Sequence, residues 1–455
     1  MKLNIIQGHI LRTMAGITVA LLIYLANGAG AVPQEQWNNT FGGTDNDLAS
    51  SVVQTSDGGY VMAGQTYSFG SGEADAWLVK TDADGTEIWN RTFGGALIDL
   101  ASSVVQTSDG GYVLAGQTNS FGSGDVDAWL IKTEADGTED WNMTFGGTSI
   151  DHASSIMQTS DGGYVLAGQT SSFGSGMADA WLVKTDADGT EMWNMTFGGT
   201  SFDLASSVVQ TSDGGYVLAG QTSSFGSGEA DAWLIKTNAD GSENWSMTFG
   251  GKLYDAANSV GQTSDGGFIL AGETFSFSDG IDKAWLIKTD VKGIEQWNMT
   301  LGGGKDEGAQ FVQQTSDNGY ILAGTVSDDQ TDALIIKTDV NGNEQWNKTF
   351  GGTLNDFAMS VRQTSDGGYI LAGVTFLFGE GSNEAWLIKI SGEGSNGDLN
   401  DNGIPADAGD LVLMKRASTG EIPADTRYDM NNNGQFADAG DLVLMKRAST
   451  GEIII

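Results

Sequence analysis

The chain of 455 residues contains no cysteine, two histidines and three prolines. Without cysteine, no disulfide framework, thiolate nucleophile or cysteine-ligated metal site can form. His152 cannot build a histidine-rich metal site, because the other histidine, His9, lies in the leader described below. Proline is absent between Pro33 and Pro405. This long gap suits an uninterrupted series of paired strands, since proline cannot donate to a β-ladder.

Positive charge is also scarce. The sequence has 21 Lys and Arg against 59 Asp and Glu, a formal net charge of −38. Proteins that bind nucleic acid carry clustered positive charge, so this balance argues against a nucleic-acid partner. Arg91 and Arg362 are the arginines of the repeat region, too few for the arginine cluster of sialidase-type enzymes.

Residues 1–31 are predicted to be a secretory signal peptide. Lys2 and Arg12 precede a short apolar run at 14–25, and the small residues Ala29-Gly30-Ala31 follow. A basic start, an apolar core and an A-x-A ending are typical of a cleaved leader. A membrane anchor is the alternative, but the run is short for a spanning helix of ~20 residues. We therefore expect a mature protein without a membrane span, secreted to the extracellular space or the cell surface.

A repeated unit occupies residues 37–390. Each copy begins with W-N-x-T-F-G-G and continues through Q-T-S-D-G-G-Y and D-A-W-L-[IV]-K-T-D. Successive copies are 52 residues apart five times and then 49. A fixed period of this length indicates a repeat architecture. The leading tryptophans are Trp37, Trp89, Trp141, Trp193, Trp245, Trp297 and Trp346.

Four stretches of each unit carry strand signals bounded by turn residues. In the first unit they are 49–55, 60–66, 76–81 and 88–93. Four short antiparallel strands repeated seven times predict an all-β, seven-bladed β-propeller over residues 32–390. The chain enters with a single strand at Trp37 and leaves with three strands before Ile390. Pairing these ends would complete blade seven and cover both free edges.

The run K-T-D-A-D-G-T-E-I-W, from Lys80 to Trp89, resembles the tryptophan-docking repeats of quinoprotein-like propellers. The resemblance concerns the blade pattern, and no residues that would hold a quinone accompany it. We interpret the seven leading tryptophans as wedges in the core between blades.

Two sets of acidic residues recur at the same end of the strands. They predict a candidate binding face that attracts cations or a basic partner. The alternative is that each carboxylate caps its own turn through backbone N–H groups. The first set lies in the crossings between blades: Asp47, Asp99, Asp151, Asp203, Asp255, Glu307 and Asp356. The second set precedes the third strand: Asp75, Asp127, Asp179, Asp231, Asp332 and Glu384, with Asp282 displaced by one position.

The loop between the second and third strands differs among blades. It contains S-F-G-S-G in most copies and is shortened at 327–331 in blade six. Phe275 and Phe277 of blade five, with Phe376 and Phe378 of blade seven, are candidates for stacking on a sugar or a partner, or else cover the rim. Sequons for N-glycosylation also recur, at Asn38, Asn90, Asn142, Asn194, Asn244, Asn298 and Asn347.

After a linker at 391–397, a second duplication fills residues 398–455. Oxygen-bearing residues at positions 1, 3 and 5 followed by glycine at 6 are typical of a calcium loop. The predicted helices 410–417 and 441–448 follow the loops. The predicted Ca²⁺ ligands of the first loop are Asp398, Asn400, Asn402, the Ile404 carbonyl and Asp410. Those of the second loop are Asp429, Asn431, Asn433, the Gln435 carbonyl and Asp441.

This arrangement, two calcium loops each followed by one helix, resembles a dockerin, the module that docks onto cohesin. The closing carboxylates Asp410 and Asp441 stand at position 13 and not 12, so Asp407 and Asp438 are alternative ligands. The resemblance implies a cohesin-like partner. The residues that would meet it are Ala408, Gly409, Lys415 and Arg416, with Ala439, Gly440, Lys446 and Arg447 in the second copy.

The sequence thus predicts a secreted β-propeller that acts as a binding or display platform, attached by a small α-helical, dockerin-like module to a cohesin-bearing partner or a cell surface. A glycan or another cell-surface polymer is the expected ligand class. The alternative is a polysaccharide-active enzyme carried by the dockerin, although no single carboxylate pair stands out as its catalytic dyad.

Overall fold

The computed structural model describes residues 32–278, 280–376 and 382–392. They contain 28 strands and no helix. The predicted signal peptide, both calcium loops with their ten ligands, and the two predicted helices lie outside the described residues. No helix in the described part of the chain is long and apolar enough to cross a membrane.

The strands form seven antiparallel sheets of four, one for each blade. Blade one contains β2 (Asp47–Gln54), β3 (Tyr60–Thr66), β4 (Asp75–Thr81) and β5 (Glu87–Phe93). Blade two contains β6 (Asp99–Gln106), β7 (Tyr112–Thr118), β8 (Asp127–Thr133) and β9 (Glu139–Phe145). Blade three contains β10 (Asp151–Gln158), β11 (Tyr164–Thr170), β12 (Asp179–Thr185) and β13 (Glu191–Phe197). Blade four contains β14 (Asp203–Gln210), β15 (Tyr216–Thr222), β16 (Asp231–Thr237) and β17 (Glu243–Phe249).

The last three blades follow the same order. Blade five contains β18 (Asp255–Gln262), β19 (Phe268–Thr274), β20 (Lys283–Thr289) and β21 (Glu295–Leu301). Blade six contains β22 (Asp306–Gln314), β23 (Tyr320–Ser327), β24 (Thr331–Thr338) and β25 (Glu344–Phe350). Blade seven contains β26 (Asp356–Gln363), β27 (Tyr369–Phe376) and β28 (Asn383–Ile390), and its fourth strand is β1 (Glu35–Phe41).

The predicted closure of the ring is confirmed. β1 pairs antiparallel with β28, and Trp37 lies opposite Lys389 while Phe41 lies opposite Ala385. The first strand of every blade packs against the first strands of its two neighbours, and β26 packs against β2. The inner strands therefore surround a central channel, and β1 covers an edge that β28 would otherwise expose.

The core lies between neighbouring blades. The third strand is buried on both faces; in blade one all seven residues of β4 are buried. It reads as a continuous apolar run and not as an alternation, which is expected for a sheet covered on both sides. Trp77 and its equivalents Trp129, Trp181, Trp233 and Trp285 are almost completely buried there.

The leading tryptophans pack between blades, as predicted. The Trp37 ring meets Tyr60 of blade one edge-on, with 5.8 Å between centroids. It also covers Gly85 of the blade-one turn, which has φ of 78° and where an added Cβ would lie 2.7 Å from the ring. Glycine is required at this position by both the backbone conformation and the closeness of the indole.

A β-bulge recurs in all seven inner strands. In β2 the register against β3 shifts between Ala49 and Ser51, which leaves Ser50 as the extra residue. Opposite the bulge, a Cβ on Gly64 would lie 1.9 Å from the Leu48 carbonyl oxygen. The glycine of Y-V-L-A-G is therefore needed to let two backbones approach.

Candidate binding face

Two kinds of loop meet at one end of the strands. These are the crossings between blades, such as 42–46, and the loops between second and third strands, such as 67–74. Tyr67 N–H donates to the Asn46 carbonyl at 2.9 Å, and Asp99 N–H donates to the Ala74 carbonyl at 2.8 Å. We call this end the loop face. The predicted position of both acidic sets at one end of the propeller agrees with this geometry.

The crossing carboxylates lie beneath the surface of the loop face. All seven residues of the first acidic set are at most 4% exposed. In blade four, Asp203 accepts hydrogen bonds from the Ser224 hydroxyl at 2.6 Å and the Gly199 N–H at 2.8 Å, and another from the Thr222 hydroxyl. The same three partners recur around Asp47, Asp99 and Asp151. This geometry favours the turn-capping alternative, since these oxygens are used within their own loops.

The second acidic set behaves similarly in blades one to four. Asp75, Asp127, Asp179 and Asp231 are each 2% exposed. The Asp75 carboxylate accepts from Ser71 N–H at 2.8 Å. Burial raises the pKa of Asp75 and of Asp231, although backbone N–H donors oppose the shift. These carboxylates also stabilise loops from within.

What the loop face presents to solvent in blades one to five is aromatic. Each S-F loop places a phenylalanine on the buried tryptophan of its own blade, tilted by 40–50° with ring centroids 5.4–6.0 Å apart. The outer side of each ring is open, with exposure of 42–49%. The five pairs are Phe69–Trp77, Phe121–Trp129, Phe173–Trp181, Phe225–Trp233 and Phe277–Trp285.

Apolar side chains of the crossings extend this surface. Each of them belongs to a different crossing between blades. Leu97, Ile150, Phe202, Leu253 and Leu354 are 39–48% exposed. With the five phenylalanines they place ten exposed apolar side chains at one end of the strands, and a concentration of this kind is more typical of an interaction site than single scattered residues are.

Blades five to seven depart from the common pattern on this face. Glu273 replaces the glutamine of the second strand and lies beside Asp282. Burial raises the pKa of Asp282 to about 7, and repulsion by the Glu273 carboxylate adds to the shift. Asp306, whose carboxylate accepts from Asp282 N–H, raises it further. Lys283 is the cation beside them, paired with Glu307 at 3.3 Å.

A small apolar pocket lies where blade seven meets blade one. Its volume is about 170 Å³. Phe357 and Phe376, which contact each other with centroids 6.2 Å apart, contribute to its wall. The predicted Phe378 lies outside the described residues. The lining residues are Leu48, Ala49, Ser50, Phe357, Met359, Val374, Phe376 and Asn383.

Other predicted positions are placed as follows. The sequon asparagines lie on the outermost strands, where Asn90 and Asn298 each donate to the glutamate three residues earlier. His152 lies on the inner strand β10, and burial lowers its pKa. No group of three or more His, Asp or Glu in the described ranges could hold a metal ion. Glycosylation and calcium binding therefore stay predictions.

Two sets of residues were missed from the sequence. The first is the tryptophan of D-A-W, which backs each exposed phenylalanine. The second is the lysine of the same strand: Lys184 is 3% exposed and pairs with Asp161 of the S-D-G-G turn at 3.0 Å. The sequence signal for both was the continuous apolar run of this strand. Such a run is typical of a strand buried on both faces, and all seven residues of Asp75–Thr81 are buried.

Comparison with known proteins adds little to this geometry. No family model matches the chain. A curated relative, the regulatory protein FlaEY of Caulobacter vibrioides, is 26% identical over 228 residues, which cover 42% of this chain and 24% of that protein. The match therefore spans about a quarter of the relative's length.

Two solved structures align with this chain. The WD40 domain of Pan2 from Neurospora crassa has 9% identity and a TM-score of 0.45, with 75% of this chain and 88% of that chain covered. Sqt1 from Chaetomium thermophilum has 10% identity and a TM-score of 0.44, with 75% and 83% covered. The strand order and pairings given above establish the seven-bladed propeller by themselves.

Proposed function

We propose that the chain is an extracellular binding protein whose propeller holds a neutral, repetitive glycan on its loop face. The observation that carries this proposal is the set of five exposed phenylalanines, each fixed on a buried tryptophan. An aromatic ring held against a second ring offers a flat apolar surface at little cost in conformational entropy. Such a surface fits the apolar face of a sugar ring.

The repetition of the site supports a repetitive ligand. One weak contact on each of five blades gives useful avidity only when the ligand presents the same group many times. The net charge of −38 favours a neutral polymer over a polyanion, because like charges oppose association.

The test is affinity electrophoresis of the full chain through gels that contain soluble neutral polysaccharides, such as β-glucan, xyloglucan or mannan. A bound polymer should retard the chain. The triple variant Phe121→Ala, Phe173→Ala and Phe225→Ala should lose at least tenfold in affinity. The matched control is Ile88→Ala, Met192→Ala and Ile294→Ala, which removes three exposed apolar side chains at the opposite end of the strands. Equal losses in both triple variants would contradict the proposal.

The same polysaccharides distinguish the platform from the alternative, a polysaccharide-active enzyme carried by the dockerin. Each retained polysaccharide is incubated with the chain and assayed for new reducing ends. Binding without hydrolysis supports the platform. Hydrolysis that survives extensive purification supports the enzyme and contradicts the platform as stated.

We also propose how the propeller is exported and attached, from residues 1–31 and residues 398–455. Residues 1–31 would direct export, and the two loops at 398–455 would bind Ca²⁺ and dock onto a cohesin-like partner. The support is the duplicated order of oxygen ligands and glycine. Calorimetric titration of the full chain with calcium should show two sites, and the double variant Asp398→Ala and Asp429→Ala should remove both. The control Asp45→Ala, an exposed residue of the loop face, should retain them. Absence of calcium uptake by the full chain would contradict the attachment but not the glycan-binding face.

A further inference from the structure

One level of the inner strands differs in chemistry between the two halves of the ring. The residue before the closing glutamine of each inner strand is Val53, Val105, Met157 and Val209 in blades one to four. In blades five to seven it is Gly261, Gln313 and Arg362. These residues pair with equivalent positions of the second strands, such as Val53 with Val61 and Arg362 with Ile370, so they lie at one height in the ring.

Arg362 carries a charge without a counter-charge. Its guanidinium lies 4.0 Å above the centre of the Phe311 ring of blade six. In the described part of the chain it has no carboxylate partner and no hydrogen-bond acceptor. Burial alone lowers the pKa of Arg362 to about 10, so the side chain remains a cation at neutral pH. The side chain is half-buried, so its N–H groups without acceptors stay accessible to a small ligand, while the Phe311 ring covers one side of the guanidinium.

Gln313 supplies a second donor on the neighbouring strand. Its side-chain oxygen accepts from Gln363 N–H at 2.9 Å. In the described residues the Gln313 NH₂ group has no acceptor. Gly261, beside it in blade five, leaves open space: an added Cβ would touch only the Ile269 side chain, at 3.5 Å.

We propose that the Arg362 guanidinium and the Gln313 amide form an anion site inside the channel, for a ligand that carries a single carboxylate group. A guanidinium presents its donors in a plane that matches the two oxygens of a carboxylate. The Phe311 ring holds the guanidinium plane in place, and Gly261 makes room for the ligand. The strongly negative net charge of the chain disfavours a polyanion but not one carboxylate held at short range.

This site is independent of the glycan-binding face. It lies on the inner strands of blades five to seven, whereas the exposed phenylalanines belong to blades one to five.

The chain provides a matched control in Arg91. Arg91 also lies near an aromatic ring, 5.3 Å from the centre of Trp89. Its guanidinium, however, donates to the carbonyls of Asn90 at 2.8 Å and Asp136 at 3.0 Å. Arg91→Gln therefore removes a stacked arginine with satisfied donors, and Arg362→Gln removes one without acceptors.

The experiment uses ligand-observed NMR and calorimetry on the full chain at 0.15 M salt. The probes are glucuronate against glucose, and N-acetyl-triglycine against its C-terminal amide. At least one carboxylate probe should bind with a Kd of roughly millimolar size, as expected for so small a ligand. Arg362→Gln should weaken that binding at least tenfold, and Arg91→Gln should leave it unchanged. The probe that binds identifies a sugar acid or a peptide terminus as the source of the carboxylate.

A second variant distinguishes the loss of the anion site from a general loss of the fold. Gln313→Met introduces the residue of blade three, where the Met157 sulfur accepts the N–H of Gln210 as Gln313 accepts that of Gln363. It keeps the acceptor and removes the amide donor, so binding should weaken severalfold with an unchanged melting temperature. Lack of binding by both carboxylate probes, equal binding of the neutral partners, or equal losses in Arg362→Gln and Arg91→Gln would overturn the proposal.

Discussion

Blades one to four and blades five to seven share the same order of four strands but differ in the residues at their exposed positions. In the first group the loop face, the channel and the core repeat almost residue for residue. In the second group the capping carboxylate and the buried lysine persist, as with Asp356 and Lys337. The channel and loop-face positions change, as with Phe311 and Glu273.

The difference separates two kinds of residue. Those that stay the same in all blades hold loops and blades together from inside. Those that change in blades five to seven lie on the inner strands or at the loop face, where a substitution changes the groups that a ligand could contact. Repeated contacts are therefore expected from blades one to five, and single-copy sites from blades five to seven.

The largest expected effect concerns the shared core. Trp181→Ala should lower the free energy of unfolding by ~3–5 kcal/mol, because it removes a fully buried indole between blades. Trp181→Leu should cost less, because Leu334 occupies the equivalent register position in blade six and is buried there. Denaturant unfolding measures both, with the exposed Met192→Ala as the control. Equal destabilisation by the Ala and Leu variants would show that leucine, which fills this position in blade six, cannot fill it in blade three.

The next effect concerns the crossing carboxylates. Asp203→Asn replaces one acceptor oxygen with a donor, although three donors surround the side chain. We expect a loss of ~2–3 kcal/mol in the free energy of unfolding, while affinity for a bound glycan stays unchanged. Asp188→Asn, in an exposed turn, is the matched control. A variant of normal stability with reduced ligand affinity would instead support an acidic binding face.

The smallest effect concerns the carboxyl pair of blade five. The folded pKa of Asp282, about 7, lies above its ordinary value of 3.8, so the folded chain loses stability as pH rises between these values. Glu273→Gln restores the residue of blades one to four and removes a repulsive neighbour. Its melting temperature should exceed that of the unaltered chain by about 2 °C at pH 8 and match it at pH 4.

The control for this pair is Glu243→Gln, an exposed glutamate of an outer strand, which should show no such pH dependence. A melting temperature of Glu273→Gln that is raised equally at both pH values would contradict the assignment to carboxyl repulsion.

Much of the fold was predictable because the period of the sequence equals one blade. The stray strand at Trp37 and the missing strand after Ile390 implied the closure that β1 and β28 make. The predicted 49–55 began two residues late, because Asp47 joins the ladder opposite Thr66. Strand signals treat Asp as a turn residue and cannot show that a carboxylate is buried and hydrogen-bonded.

The binding surface was less predictable. The two acidic sets were recognisable because charged residues can be read directly from a sequence. The five exposed phenylalanines are recognised as a surface only when the structure shows each of them packed on its tryptophan. In the sequence, Arg362 indicated only that the repeat region has too few arginines for the cluster of a sialidase-type enzyme. Its unpaired state depends on which side chains the inner strands bring to one level, and no local pattern encodes that.

We propose that the equivalent aromatic sites of blades one to five hold a repetitive ligand. The most direct test of this proposal is the calorimetric stoichiometry of the full chain with the shortest oligosaccharide of a glycan that it binds. We expect about five equivalent sites per chain, one for each Phe–Trp pair, falling to about two in the triple variant of Phe121, Phe173 and Phe225. A single site per chain that survives in the triple variant would contradict it.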